Sequence, residues 1–172
     1  YYSAGESAVG LDLVAHRPAA AAAGCFMLLV SPRGRIEEES VVARDLVFVL
    51  DTSGSMRGEK FRQAQEALRH CIGKLNENDR FNLVRFSGDV DVWRKGWVSA
   101  AEHRPEALAW VDTLLAEGGT NIGGALDAAL ELPRDPARPF VVVFLTDGKP
   151  TIGERDPGRL IARAEQARRG HG

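Results

Sequence analysis

Hydrophobic and polar positions alternate at two different periods along this chain, and two apolar runs end abruptly in acidic residues. Leu46 to Leu50 is followed at once by Asp51-Thr52-Ser53-Gly54-Ser55, and Val141 to Leu145 by Thr146-Asp147-Gly148. Unbroken runs of Val, Leu and Phe bounded by polar and Gly residues predict strands buried on both faces of a parallel sheet. Between them, Phe61, Ala64, Leu68, Ile72 and Leu75 recur at steps of three and four, which predicts an amphipathic helix over 59–75. Phe81, Leu83, Val84 and Phe86 mark a second strand, and Val90, Val92 and Trp93 a shorter one joined to it through Ser87-Gly88-Asp89 as a hairpin. A helix over roughly 104–116 points Leu108, Val111, Leu114 and Leu115 inward. Another follows Gly118-Gly119-Thr120-Asn121 with Ile122, Leu126, Ala129 and Leu130 on one face, and a last one after Pro157 uses Leu160, Ala164 and Ala167.

Strands alternating with helices predict an α/β fold: a doubly wound, mostly parallel sheet with one short antiparallel strand and helices on both faces. Residues 1–43 differ in character. Val9, Leu11, Leu13 and Ala15 alternate with Gly10, Asp12, Val14 and His16, predicting a half-buried strand, and Cys25 to Val30 reads as a second. Pro18 and the Ala19 to Ala23 run separate them, and Glu37-Glu38-Glu39 forms an acidic connector. Two strands and a linker cannot form a stable domain alone. Residues 1–43 are therefore expected to be a β extension or the end of a preceding β-rich domain, with an α/β domain over 44–172.

Composition narrows the function classes. A chain of 172 residues with a net charge of −2 has no electrostatic footprint for nucleic acid or for an anionic membrane surface. No apolar stretch approaches the ~18 residues that a membrane helix needs. Arg outnumbers Lys, and with abundant Ala and Gly this suggests a GC-rich genome. The two cysteines, Cys25 and Cys71, sit among apolar residues and are expected to be buried. His16, His70, His103 and His171 are scattered without metal-ligand spacing and are expected at the surface. Trp93, Trp97 and Trp110 are expected to pack rather than to bind.

The chemistry gathers where the strands end. In an open α/β sheet, ligands bind beyond the carboxyl ends of the strands, which is where Asp51 and Asp147 fall. Asp51, Ser53 and Ser55 place oxygen-bearing side chains at every second position of one loop. A hard cation such as Mg²⁺ suits one or two carboxylates with hydroxyls and waters. Each residue also has a plainer reading: Asp51 as a turn residue, Ser53 and Ser55 as caps of the helix near Glu59, Thr120 and Asn121 as caps of the next. An EF-hand is excluded, because Met56 and Arg62 stand where its loop needs Gly and Glu. A phosphoryl-transfer hydrolase using Asp51 as nucleophile would want a second Asp two residues on, where Ser53 stands. Neither a phosphate-binding Gly-rich loop nor a nucleophile elbow is present.

Taken in order, Asp51-Thr52-Ser53-Gly54-Ser55-Met56, Gly118-Gly119-Thr120-Asn121 and Leu145-Thr146-Asp147-Gly148 resemble the three metal loops of a von Willebrand factor A (VWA) domain. The resemblance covers about 45–169. It implies a metal-ion-dependent adhesion site in which Ser53, Ser55 and Thr120 offer hydroxyls to the metal while Asp51 and Asp147 act largely through water. It further implies Mg²⁺, with Mn²⁺ or Ca²⁺ as substitutes, and an open coordination position filled by an Asp or Glu carboxylate of a partner protein. Neither a catalytic role nor an organic cofactor is implied. The alternatives are the Asp51 hydrolase and a structural domain whose loops stay empty. Residues 1–43 resemble the end of a VIT (vault protein inter-alpha-trypsin) domain, an arrangement seen in inter-alpha-trypsin inhibitor heavy chains and bacterial relatives. That implies an extracellular, periplasmic or cell-surface setting, while the VWA resemblance implies further strands and a helix beyond Gly172.

Overall fold

A computed structural model describes residues 9–16, 25–32 and 42–169. The chain divides into two compact units, 1–41 and 42–172. In the first, strand β1 (Val9–His16) pairs antiparallel with β2 (Cys25–Pro32), with Val9 opposite Pro32 and His16 opposite Cys25. The Ala run, the acidic connector and His171 lie outside the described residues, as do the side-chain surroundings of Cys25 and His16.

The second unit is built on a five-stranded sheet. Its elements are β3 (Asp45–Asp51), α1 (Glu59–Gly73), β4 (Arg80–Phe86), β5 (Val90–Val92), β6 (Val98–Ser99), α2 (Ala100–Thr113), α3 (Ile122–Leu130), β7 (Phe140–Leu145) and α4 (Pro157–Arg169). The path runs β5-β4-β3-β7, with β6 also paired to β4. Strand β3 lies between two parallel neighbours, with Asp51 beside Phe86 of β4 and Leu50 beside Leu145 of β7. Both β5 and the two-residue β6 run antiparallel to β4. The sheet is thus mostly parallel, and β6, too short to show a period, adds to the single antiparallel strand expected.

Alternation along β3 sends its side chains to two cores. Leu46, Phe48 and Leu50 meet Phe61, Leu68 and Ile72 of α1 and Ala107 and Val111 of α2 on one face. Val47 and Val49 meet Ala125 and Ala129 of α3 on the other. Each fully buried Leu, Ile, Val or Phe among them contributes roughly 1.5–3 kcal/mol. The doubly wound arrangement follows, and β3 has both faces covered as its unbroken apolar run requires.

Several details depart from expectation. Helix α2 spans Ala100–Thr113 rather than 104–116, because Ala100 is buried and its N–H donates to the Asp79 carbonyl (3.0 Å), which starts the helix before Pro105. Leu115 therefore falls beyond the helix and is 76% exposed instead of inward-facing. On α3 the buried positions are Gly123, Ala125 and Ala129, small residues that let the helix approach the sheet, while Ile122, Leu126 and Leu130 are half-buried. Ala164 of α4 is exposed, and Cys71 and His103 are half-buried. Strand β7 is half-buried along its length rather than fully, because it pairs only with β3 among the described residues. The tryptophans pack as expected: Trp93 stacks on Phe81 (5.8 Å) and Trp97 meets Phe140 edge-on while donating from Nε1 to the Pro133 carbonyl (2.6 Å).

At the amino ends of the strands two buried carboxylates tie the chain together. Asp45 accepts from Arg80 (Nε 2.8 Å, Nη2 2.7 Å) and from Arg138 Nε (2.7 Å). Asp79 accepts from the Arg44 backbone and guanidinium and from the Asn76 N–H (2.9 Å). These anchors fix the end of the sheet opposite the loops that carry the candidate ligands.

Candidate metal site at the carboxyl edge of the sheet

The connection leaving β3 packs α1 on one face, and the one leaving β7 leads to α4, which lies beside α3 on the other, Arg163 of α4 donating to Asp127 of α3 (3.0 Å). The loops after these adjacent strands therefore part company, and the crevice between them is the ligand position of an open sheet. Asp51, the last residue of β3, is fully buried there. Its Oδ1 accepts the Ser53 N–H (2.8 Å) and its Oδ2 the Thr146 hydroxyl (2.6 Å). The turn role is therefore real, and it also aims the carboxylate across the crevice toward the loop after β7. Ser53 Oγ and Ser55 Oγ share a hydrogen bond (2.9 Å), and Ser55 donates to Asp147 Oδ1 (3.2 Å). Neither serine caps α1, whose N-cap is Gly58 at φ 83°.

The third loop is fastened by its backbone. Gly54 N–H donates to the Gly118 carbonyl (3.0 Å), Glu117 N–H to Thr52 (2.7 Å) and Asn121 N–H to Ser87 (2.8 Å). Gly118 adopts φ 80°, a region that favours glycine. Thr120 is buried, its N–H donating to Thr151 Oγ1 (2.8 Å) and its carbonyl accepting from the Thr151 N–H (2.9 Å). The capping role expected of this pair belongs to Asn121, whose Oδ1 accepts the Gly124 N–H (3.0 Å). Gly148 joins the loops: a Cβ placed on it would lie 3.7 Å from Ser55 Oγ, 3.8 Å from Thr120 Cγ2 and 3.9 Å from Asp51 Oδ2. All five sequence-derived residues thus meet in one crevice.

One participant escaped the sequence reading. Lys60, on the first turn of α1, places Nζ 2.5 Å from Asp147 Oδ2. Its only sequence signal is its position one turn after the serine loop. The Lys60 ammonium, and with it the Ser55 hydroxyl, holds Asp147 below the usual carboxylate range, against an opposing effect of burial.

The donor set fits a hard divalent cation. It consists of oxygens alone, three hydroxyls and two carboxylates, of which Ser55 Oγ and Asp51 Oδ2 lie within 3.9 Å of where a Cβ on Gly148 would stand. Among the described residues no three His, Cys, Asp or Glu side chains gather, so the groups offered here are mostly hydroxyls rather than carboxylates.

Residues 45–170 match the model of the von Willebrand factor type A domain. The chain belongs to this family. VWA relatives include inter-alpha-trypsin inhibitor heavy chain H4 of Sus scrofa, 39% identical over 136 residues, covering 74% of this chain and 15% of the relative. The Homo sapiens heavy chain H4 is 35% identical over 153 residues, 84% of this chain and 16% of the relative. The chain thus spans about one sixth of the length of these proteins or less. Among solved structures, a von Willebrand factor type A protein from Catenulispora acidiphila has a TM-score of 0.66 at 25% identity over 95% of this chain and 35% of that one. Proximal thread matrix protein 1 from the mussel byssus, described with a zinc-occupied MIDAS motif, has a TM-score of 0.60 at 22% identity over 73% and 35%.

Proposed function

We propose that this VWA domain is a non-enzymatic, divalent-metal-dependent protein-interaction module. Asp51, Ser53, Ser55, Thr120 and Asp147 would hold the ion, with Mg²⁺ the cation best suited to so small and hydroxyl-rich a set. When bound, the metal supplies a Lewis-acidic position for a carboxylate of the partner. The chain's own residues do the rest. Asp51 supplies buried negative charge, the serines and Thr120 supply neutral oxygens, and the backbone bonds among Gly54, Gly118, Thr120 and Thr151 keep those oxygens in register.

The observation that carries this reading is the convergence of three loops around Gly148. The hydrolase alternative is disfavoured on the same geometry: both Asp51 oxygens are engaged, by Ser53 and Thr146, and the carboxylate is buried. It is not presented as a nucleophile. No helix among the described residues is long and apolar enough to cross a membrane. By likeness to the inter-alpha-trypsin inhibitor heavy chains, the proposed setting is extracellular or at the cell surface, and β1 and β2 are proposed to end a VIT-like domain.

Acetate is a minimal stand-in for the partner's carboxylate. In amide NMR spectra of the Mg²⁺-saturated protein, acetate should shift the Gly54, Gly118 and Gly148 signals at millimolar concentrations, and do nothing in chelator. Identical shifts in chelator, or none in Mg²⁺, would overturn the proposal.

A further inference from the structure

Lys60 is in an unfavourable place for a cation. It lies in the first turn of α1, where the exposed N–H groups and the helix dipole favour anions. Its neighbour Glu59 meets that preference but is taken up by Arg62 (2.6 Å) and Gln63 (3.1 Å). Lys60 reaches away from its own helix, across the crevice, to the loop after β7. Its side chain is 62% exposed while that of Asp147 is only 19% exposed. The ammonium thus covers an acid that belongs to the oxygen network of Ser53 and Ser55.

We infer that Lys60 is a tethered competitor for the divalent cation, a built-in positive charge that lowers the metal affinity of the site by occupying Asp147 and repelling a second cation nearby. The inference rests on the metal role proposed above for Asp51, Ser53, Ser55, Thr120 and Asp147. Two effects act in the same direction. A metal drawing on Asp147, directly or through water, must share or displace the Lys60 hydrogen bond. Even if that bond persists, a unit charge a few ångströms from a divalent ion opposes binding by Coulomb repulsion, which in a water-like dielectric amounts to about a tenfold loss of affinity. The site is thereby tuned to weaker occupancy than its oxygens alone would give, so that loading follows the surrounding cation concentration.

The test is calorimetric titration of Mg²⁺ into four versions of the chain: unchanged, Lys60→Met, Lys74→Met and Asp51→Ala. Lys60→Met keeps the unbranched shape and most of the length of the side chain and removes its charge. Lys74→Met removes the same charge from the exposed C-cap at the far end of α1. The expected result is about tenfold tighter binding in Lys60→Met, unchanged binding in Lys74→Met and none in Asp51→Ala. The gain in Lys60→Met should shrink as KCl is raised, since screening weakens the repulsion. Melting in chelator checks the fold, and an exposed ammonium leaves little stability to lose. Equal or weaker Mg²⁺ binding in Lys60→Met, with binding lost in Asp51→Ala, would overturn the role of Lys60 and leave the site intact. Heat that is absent from all four, or unchanged in Asp51→Ala, would overturn the site assignment and this inference with it.

Discussion

At the scale of single residues, the five ligand candidates differ in what each would contribute, and the difference is measurable. Asp51 is the buried charge, so Asp51→Ala should abolish Mg²⁺ binding in a calorimetric titration. Ser53→Ala removes one neutral oxygen and should weaken binding by about tenfold without abolishing it, on the scale of one hydrogen bond to a charged group. Equal losses in the two variants would mean that charge and hydroxyl are not divided in this way. A second residue-scale expectation lies at the opposite end of the sheet. Burial pushes the Asp79 carboxyl up, but the Arg44 guanidinium and the N–H groups of Asn76 and Arg44 together outweigh it, so its pKa in the fold is lowered. A carboxylate with a lowered pKa contributes stability that is present above its unfolded value, about 4, and is lost as pH falls through the folded one. The melting temperature should therefore drop below about pH 4. Asp79→Asn should melt lower at pH 7 and lose part of that acid dependence; an unchanged acid slope would show that Asp79 does not carry it.

At the scale of elements, the loops matter more than the helices. Gly148 has no positive φ, and an added methyl would make ordinary van der Waals contacts with Ser55, Thr120 and Asp51. Gly148→Ala should therefore fold normally but fill the space between the donors. Its melting curve in chelator should match the unchanged chain while Mg²⁺ no longer raises it. A melt that still responds fully to Mg²⁺ would place the ion elsewhere. These loops were legible in sequence because each follows a strand whose apolar run is unmistakable, and because the residues after those runs carry oxygens in a fixed order. The elements that were misjudged have physical reasons. The helix expected over 104–116 instead begins at the buried Ala100 and ends at Thr113, which leaves Leu115 beyond it and exposed. Strand β6 has two residues and no period to detect. Lys60 was missed because a lysine in an amphipathic helix looks like any solvated charge, and only the tertiary approach of the loop after β7 gives it a partner 87 positions away.

At the scale of the whole molecule, the sheet separates its two ends by task. The amino ends of the strands are locked by Asp45 with Arg80 and Arg138 and by Asp79 with Arg44. The carboxyl ends are left to loops that present polar groups. Asp45→Ala would leave two guanidinium groups facing each other without their shared anion, and should cost about 3 kcal/mol in denaturant unfolding while leaving Mg²⁺ affinity unchanged. Loss of Mg²⁺ binding along with stability would mean that the two ends are not independent. The central claim, that three loops of this VWA domain enclose one hard divalent ion, is tested most directly by anomalous diffraction from crystals soaked in Mn²⁺. The expected result is a single strong peak in the crevice among Ser53, Ser55, Thr120, Asp51 and Asp147. A Mn²⁺ peak bound elsewhere on the domain, with this crevice holding only water at saturating metal, would contradict it.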